Sequence, residues 1–107
     1  MTAKIRINPV ATADLQEIKK YISEDSVEAA TKIIKEIIKK IERLAEFPES
    51  GTMLMYKIRL KSKYRYIICG QYPIFYIYEN NIVSIQRILH GKRDYMSLLN
   101  NDNEFNC

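Results

Sequence analysis

The chain has 107 residues, 47% of them apolar and 28% charged, with three Gly, three Pro and two Cys. That length supports one domain with a modest core, and the composition excludes a disordered, fibrous or disulfide-framed chain. The formal net charge of +4 is unevenly placed and points to an anionic partner.

Residues 1–51 hold nine Lys/Arg and nine Asp/Glu, so that half is neutral. The excess lies further on, in Lys57, Arg59, Lys61, Lys63, Arg65, Arg87, Lys92 and Arg93, against Glu79 and Asp94. No apolar run approaches the ~20 residues a spanning helix needs. Lys4 and Arg6 lead into Pro9 and not into an apolar segment, so no signal peptide and a cytoplasmic location are expected. Cys69 falls within a predicted strand and Cys107 is terminal, a placement that suits neither a disulfide nor a metal cluster. No cofactor or metal is expected.

In chain order, Ile5 and Ile7 alternate with Lys4, Arg6 and Asn8, a short half-buried strand. Asn8-Pro9 reads as a helix start, with Asn capping and Pro where its missing N–H costs nothing. Ala11, Leu15, Ile18 and Ile22 follow at helical spacing to about Ser23–Asp25. Ser26 caps a second helix whose apolar face runs through Val27, Ala30, Ile34, Ile37, Ile38, Ile41, Leu44 and Ala45. Phe47-Pro48-Glu49-Ser50-Gly51 stops it.

After Gly51 the period changes to two. Lys57, Arg59, Lys61, Lys63 and Arg65 alternate with Ile58, Leu60, Ser62 and Tyr64, with a turn expected near Lys61-Ser62-Lys63. Gly70-Gln71 and Glu79-Asn80-Asn81 are hairpin turns between three aromatic and β-branched strands. Pro73 calls for a position without a ladder donor. A short helix is expected from Asp94 to about Leu99, then a polar tail. The expected fold is α+β: an N-terminal strand, an α-helical hairpin packed on a mainly antiparallel four-stranded sheet, and a short C-terminal helix. Residues 1–99 form the single domain and 100–107 the tail.

Two groups of residues bear on chemistry. The cations of the sheet half, interleaved with Tyr64, Tyr66, Tyr76, Tyr78 and Tyr95, suit a nucleic-acid backbone or an acidic protein segment. The same tyrosines also suit a core with wet hydroxyls. His90 is the chain's only histidine. RNA cleavage through the 2′-hydroxyl needs a base, an acid and cations to stabilise the phosphorane, roles open to His90, Tyr95 and the set Arg65, Arg87, Arg93. The simpler reading makes His90 a strand-closing residue before Gly91. No phosphate loop, nucleophile elbow or metal-ligand spacing is present.

Over residues 4–99 the chain resembles the ParE/RelE superfamily, the toxins of type II toxin–antitoxin modules. The likeness rests on the strand ending in Asn8-Pro9, on Ala13-Asp14-Leu15, Ile18 and Tyr21-Ile22, and on Leu44–Pro48 with Gly51. It continues in Tyr64-Arg65, Ile85–Ile88 and His90-Gly91-Lys92-Arg93-Asp94. The long hairpin and the ending place it nearer the ParE branch, of the plasmid-stabilisation type.

The resemblance implies a growth-arresting toxin that poisons DNA gyrase, which needs no catalytic set, and is neutralised by a small antitoxin in a hetero-oligomer. The alternatives it implies are a RelE-like ribosome-dependent mRNA endoribonuclease, or a non-toxic member that binds its antitoxin and represses their operon. For the endoribonuclease, the implied catalytic candidates are Arg65, Arg87, His90, Arg93 and Tyr95. No glutamate base lies near Arg59–Arg65, and Tyr95 follows Arg93 more closely than in the RelE pattern, which favours the ParE reading.

Overall fold

The computed structural model describes residues 2–53 and 63–90. Its elements are β1 (Lys4–Ile7), α1 (Pro9–Ser23), α2 (Val27–Arg43), β2 (Thr52–Met53), β3 (Tyr64–Cys69), β4 (Tyr72–Glu79) and β5 (Ile82–Ile88). The expected terminal helix from Asp94 and the alternating segment from Lys57 to Ser62 lie outside the described residues.

Both helices begin as the sequence dictates. The Asn8 side chain accepts from the Val10 N–H at 3.0 Å, with Pro9 at the first helical position. Ser26 accepts from the Ala29 N–H at 3.0 Å. Each cap is worth about 1 kcal/mol. The α2 stripe buries Ala30, Ile37, Ile41 and Leu44, whereas Val27, at its first turn, is 67% exposed. Ile33, absent from the expected stripe, packs beside it.

The sheet has five strands in the order β1-β5-β4-β3-β2. The strand beyond the expected four is β2, whose two residues are too few to show a period. β1 lies parallel to β5, and the remaining pairs are antiparallel. The turns are as read: Asn80 and Asn81 both have positive φ, 54° and 62°, and Gly70 has φ 63°, the backbone that tight hairpins require.

Pro73 sits inside the sheet near the start of β4, at the cost of one ladder donor. Its carbonyl accepts from the Leu89 N–H at 3.0 Å, just beyond Ile88, the last residue of β5. Alternation along β4 then divides the sheet into two faces. Tyr72, Ile74 and Tyr76 join Cys69, Val83, Ile85 and Ile88 under the hairpin, packed against Ile18, Ile37, Ile41 and Leu44. Each fully buried Ile or Leu contributes about 1.5–3 kcal/mol. On the other face Tyr66 and Phe75 stand opposite one another, their ring centroids 6.0 Å apart. No helix among the described residues is long and apolar enough to cross a membrane.

Candidate functional site

Of the residues singled out for chemistry, Arg87 and His90 lie at the end of β5 and Arg65 lies against the loop between α2 and β2. At the first place, β1 stops at Ile7, opposite Ile85. Three residues on, the Ile88 N–H donates instead to Asp14 Oδ2 of α1, at 3.0 Å. A register shift opposite Phe75 and Tyr76 gives β5 an extra residue there. Such bulges re-aim side chains, and here the guanidinium of Arg87 meets Asp14: Nε to Oδ2 at 2.8 Å and Nη2 to Oδ1 at 3.1 Å. This two-pronged pairing is the strong form of an arginine–carboxylate contact.

His90 follows directly. Its ring lies between two tyrosines, with centroids 4.8 Å from Tyr21 and 5.4 Å from Tyr72, at interplanar angles of 56° and 49°. Burial pushes the Tyr72 hydroxyl above its ordinary pKa. Tyr21 is 57% exposed, so the trio forms a partly open aromatic step where β5 leaves the sheet.

At the second place, Tyr76 is buried and its hydroxyl has both its needs met. It accepts from the Gly51 N–H at 2.8 Å and donates to the Pro48 carbonyl at 2.9 Å. Burial raises its pKa, partly opposed by the Gly51 bond and by the nearby Arg65. Gly51 lies so close that a Cβ there would meet the Tyr76 hydroxyl and ring at 2.4–2.9 Å. Beside it, Arg65 Nη1 donates to the carbonyls of Glu49 at 3.1 Å and Gly51 at 3.0 Å. Its Nη2 lies 3.7 Å from the Glu49 carboxylate. Arg65 and Tyr76 together hold the loop against the sheet.

The expected basic face is thus only partly within view. Lys57, Arg59, Lys61, Lys92, Arg93 and Tyr95 lie outside the described residues. Lys63 makes an exposed pair with Glu79 at 3.2 Å, of the kind worth little. Register puts Arg65 opposite Tyr76 and Arg87 opposite Phe75, neighbours in β4 that point to opposite faces, so the two arginines do not share one cationic patch. His90 and Arg87 are brought together at one strand end. Sequence reasoning passed over Tyr21, Tyr72 and Tyr76 as partners. The signal available for Tyr76 was a buried phenol in need of two hydrogen-bond partners. Among the described residues no cluster of His, Cys, Asp and Glu could hold a metal ion.

Comparison with known proteins bears on the family and the fold. The family model for the ParE toxin of type II toxin–antitoxin systems, parDE, matches residues 5–95. Among solved structures, the chain is similar to the chromosomal ParDE system from P. aeruginosa. The TM-score is 0.69 at 17% identity, covering 85% of this chain and 98% of that one. It is also similar to the RelBE2 toxin–antitoxin complex from Mycobacterium tuberculosis. There the TM-score is 0.63 at 18% identity, covering 84% of this chain and 99% of that one. At these identities the two structures bear on the fold alone. No curated protein matches by sequence.

Proposed function

The chain belongs to the ParE toxin family of type II toxin–antitoxin systems, and from that premise we propose that it arrests growth by trapping DNA gyrase on cleaved DNA. The observation that carries the choice of target is the state of Arg65. An mRNA endonuclease needs cations free to meet the charge that develops on phosphorus. Arg65 instead spends its guanidinium on the carbonyls of Glu49 and Gly51, and Arg87 is paired with Asp14. Gyrase poisoning asks for a binding surface and not for an acid–base set.

The partner is a small acidic antitoxin, in a hetero-oligomer. Two things support this: both solved relatives are described as toxin–antitoxin systems or complexes, and the excess positive charge lies in the sheet half of the chain. The reaction with gyrase places its action in the cytoplasm.

Induced expression in a bacterial host tests the reading. A gyrase poison gives double-strand breaks and a DNA-damage response while protein synthesis first continues. An mRNA endonuclease of the RelE type stops translation first and leaves DNA intact. Normal growth would point to a member that only binds its antitoxin and represses their operon.

A further inference from the structure

β1 and β5 run side by side in parallel, with Arg6 opposite Ser84. Val83 and Ile85 are buried under the hairpin, so alternation turns Ser84 to the other face of the sheet, and Arg6 with it. Gln86, the next polar residue, is the one residue of β5 without a counterpart on β4, because Ile85 faces Tyr76 and Arg87 faces Phe75. Where β1 ends, Arg6, Ile7, Asn8, Pro9, Ser84 and Gln86 line a cavity of about 270 Å³. That is just below the ~300–1,000 Å³ span of small-molecule sites. None of these lining residues is acidic.

The polarity of the wall follows from the cap of α1. Asn8 Oδ1 accepts from the Val10 N–H at 3.0 Å, which the amide nitrogen could not do. Asn8 Nδ2 is therefore the atom that meets Gln86, donating to its Oε1 at 3.5 Å. That in turn orients the Gln86 amide, whose Nε2 donates to the Ser84 carbonyl at 3.4 Å. Both amide oxygens are thus committed within the chain, while each amide nitrogen keeps a second N–H. The Ser84 hydroxyl adds a donor, and Arg6 adds a charged fork. Among the described residues no salt bridge engages Arg6. What is left for a ligand is one cation and a set of donors.

We propose that this cavity binds a phosphate group, carried by a free nucleotide or by a DNA strand. The Arg6 guanidinium takes two of its oxygens in the two-pronged geometry that suits phosphate. Ser84 and the spare N–H groups of Asn8 and Gln86 meet the remaining lone pairs, and Ile7 and Pro9 give the attached sugar an apolar wall. A carboxylate, with two oxygens in one plane and a single charge, uses this donor set less fully. The site uses neither Arg65, Arg87 nor His90, and it does not depend on which target the toxin attacks.

The test titrates the purified full chain with thymidine monophosphate, thymidine, acetate or a short DNA duplex while amide chemical shifts are followed. Thymidine monophosphate should move the amides of Arg6, Asn8, Ser84 and Gln86 at millimolar concentration, with thymidine and acetate at least about tenfold weaker. A duplex that moves the same amides makes the DNA backbone the source of the phosphate, and movement by the mononucleotide alone makes it a free nucleotide. Arg6→Gln should weaken binding by about tenfold or more. Asn8→Asp keeps a good helix cap but exchanges a donor for a negative charge, so it should weaken binding while the unbound spectrum stays native. Unmoved amides with both phosphate carriers, equal affinity for acetate, or undiminished affinity in both variants overturns the proposal.

Discussion

Asp14 and Arg87, 73 positions apart, meet through two hydrogen bonds of 2.8 and 3.1 Å, and the same carboxylate takes the Ile88 N–H. One side chain of α1 thus finishes the ladder that β1 leaves incomplete and fixes how β5 exits toward His90. Asp14→Ala orphans the part-buried Ile88 amide and removes two hydrogen bonds of Arg87, and should cost about 1–3 kcal/mol. Arg87 is 49% exposed, so Arg87→Ala should cost less, as water screens its charge. A double-mutant cycle in urea should give a coupling near the lower end of the ~0.5–3 kcal/mol range for contacting residues.

The loop before β2 is held by contact as well as by hydrogen bonds. Gly51→Ala drives a methyl group into the Tyr76 ring, and overpacking of that kind costs about 1–3 kcal/mol. Tyr76→Phe keeps the ring but leaves the Gly51 N–H and the Pro48 carbonyl unmet, for a loss of about 1–3 kcal/mol. Both should lower the urea midpoint without changing the slope.

Alkaline pH should unfold the protein earlier than its charge alone suggests. Burial pushes Cys69, Tyr72 and Tyr76 above their ordinary values of 9.0, 10.0 and 10.0. The unfolded chain gives up these protons first, so stability is fully present below the ordinary values. It is lost as pH rises through the folded ones. Denaturation midpoints should be flat to about pH 8 and fall above it. Tyr76→Phe should make the fall shallower.

His90 separates architecture from catalysis. Its contacts with Tyr21 and Tyr72 are ring contacts, worth about 0.5–1.5 kcal/mol each. His90→Phe should keep stability and toxicity, whereas His90→Ala should lose stability. A catalytic acid–base role would make both variants inactive, so growth arrest by His90→Phe is the deciding readout.

Local signals carried the fold a long way. Asn8-Pro9 and Ser26 set the helix starts, Asn80-Asn81 the last hairpin, and the Ile37–Ile41–Leu44 spacing the buried face of α2. β2 escaped because two residues cannot show alternation, and Val27 because its spacing fits the apolar stripe although it stands exposed at the first turn of α2. The site was less legible. Gly51 reads as a helix stop, but its neighbour Tyr76 is what forbids a side chain there. Arg65 reads as a surface cation because nothing near it in sequence shows that two loop carbonyls will claim it. The pairing of Asp14 with Arg87 depends on a bulge and on where β1 ends, both properties of the assembled sheet.

Gyrase poisoning is tested by incubating purified toxin with gyrase, supercoiled plasmid and ATP, then adding detergent and protease. Linear DNA, undiminished with His90→Phe, is the predicted result. Unimpaired supercoiling with no cleaved DNA at high toxin excess, together with mRNA cut on ribosomes, would contradict it.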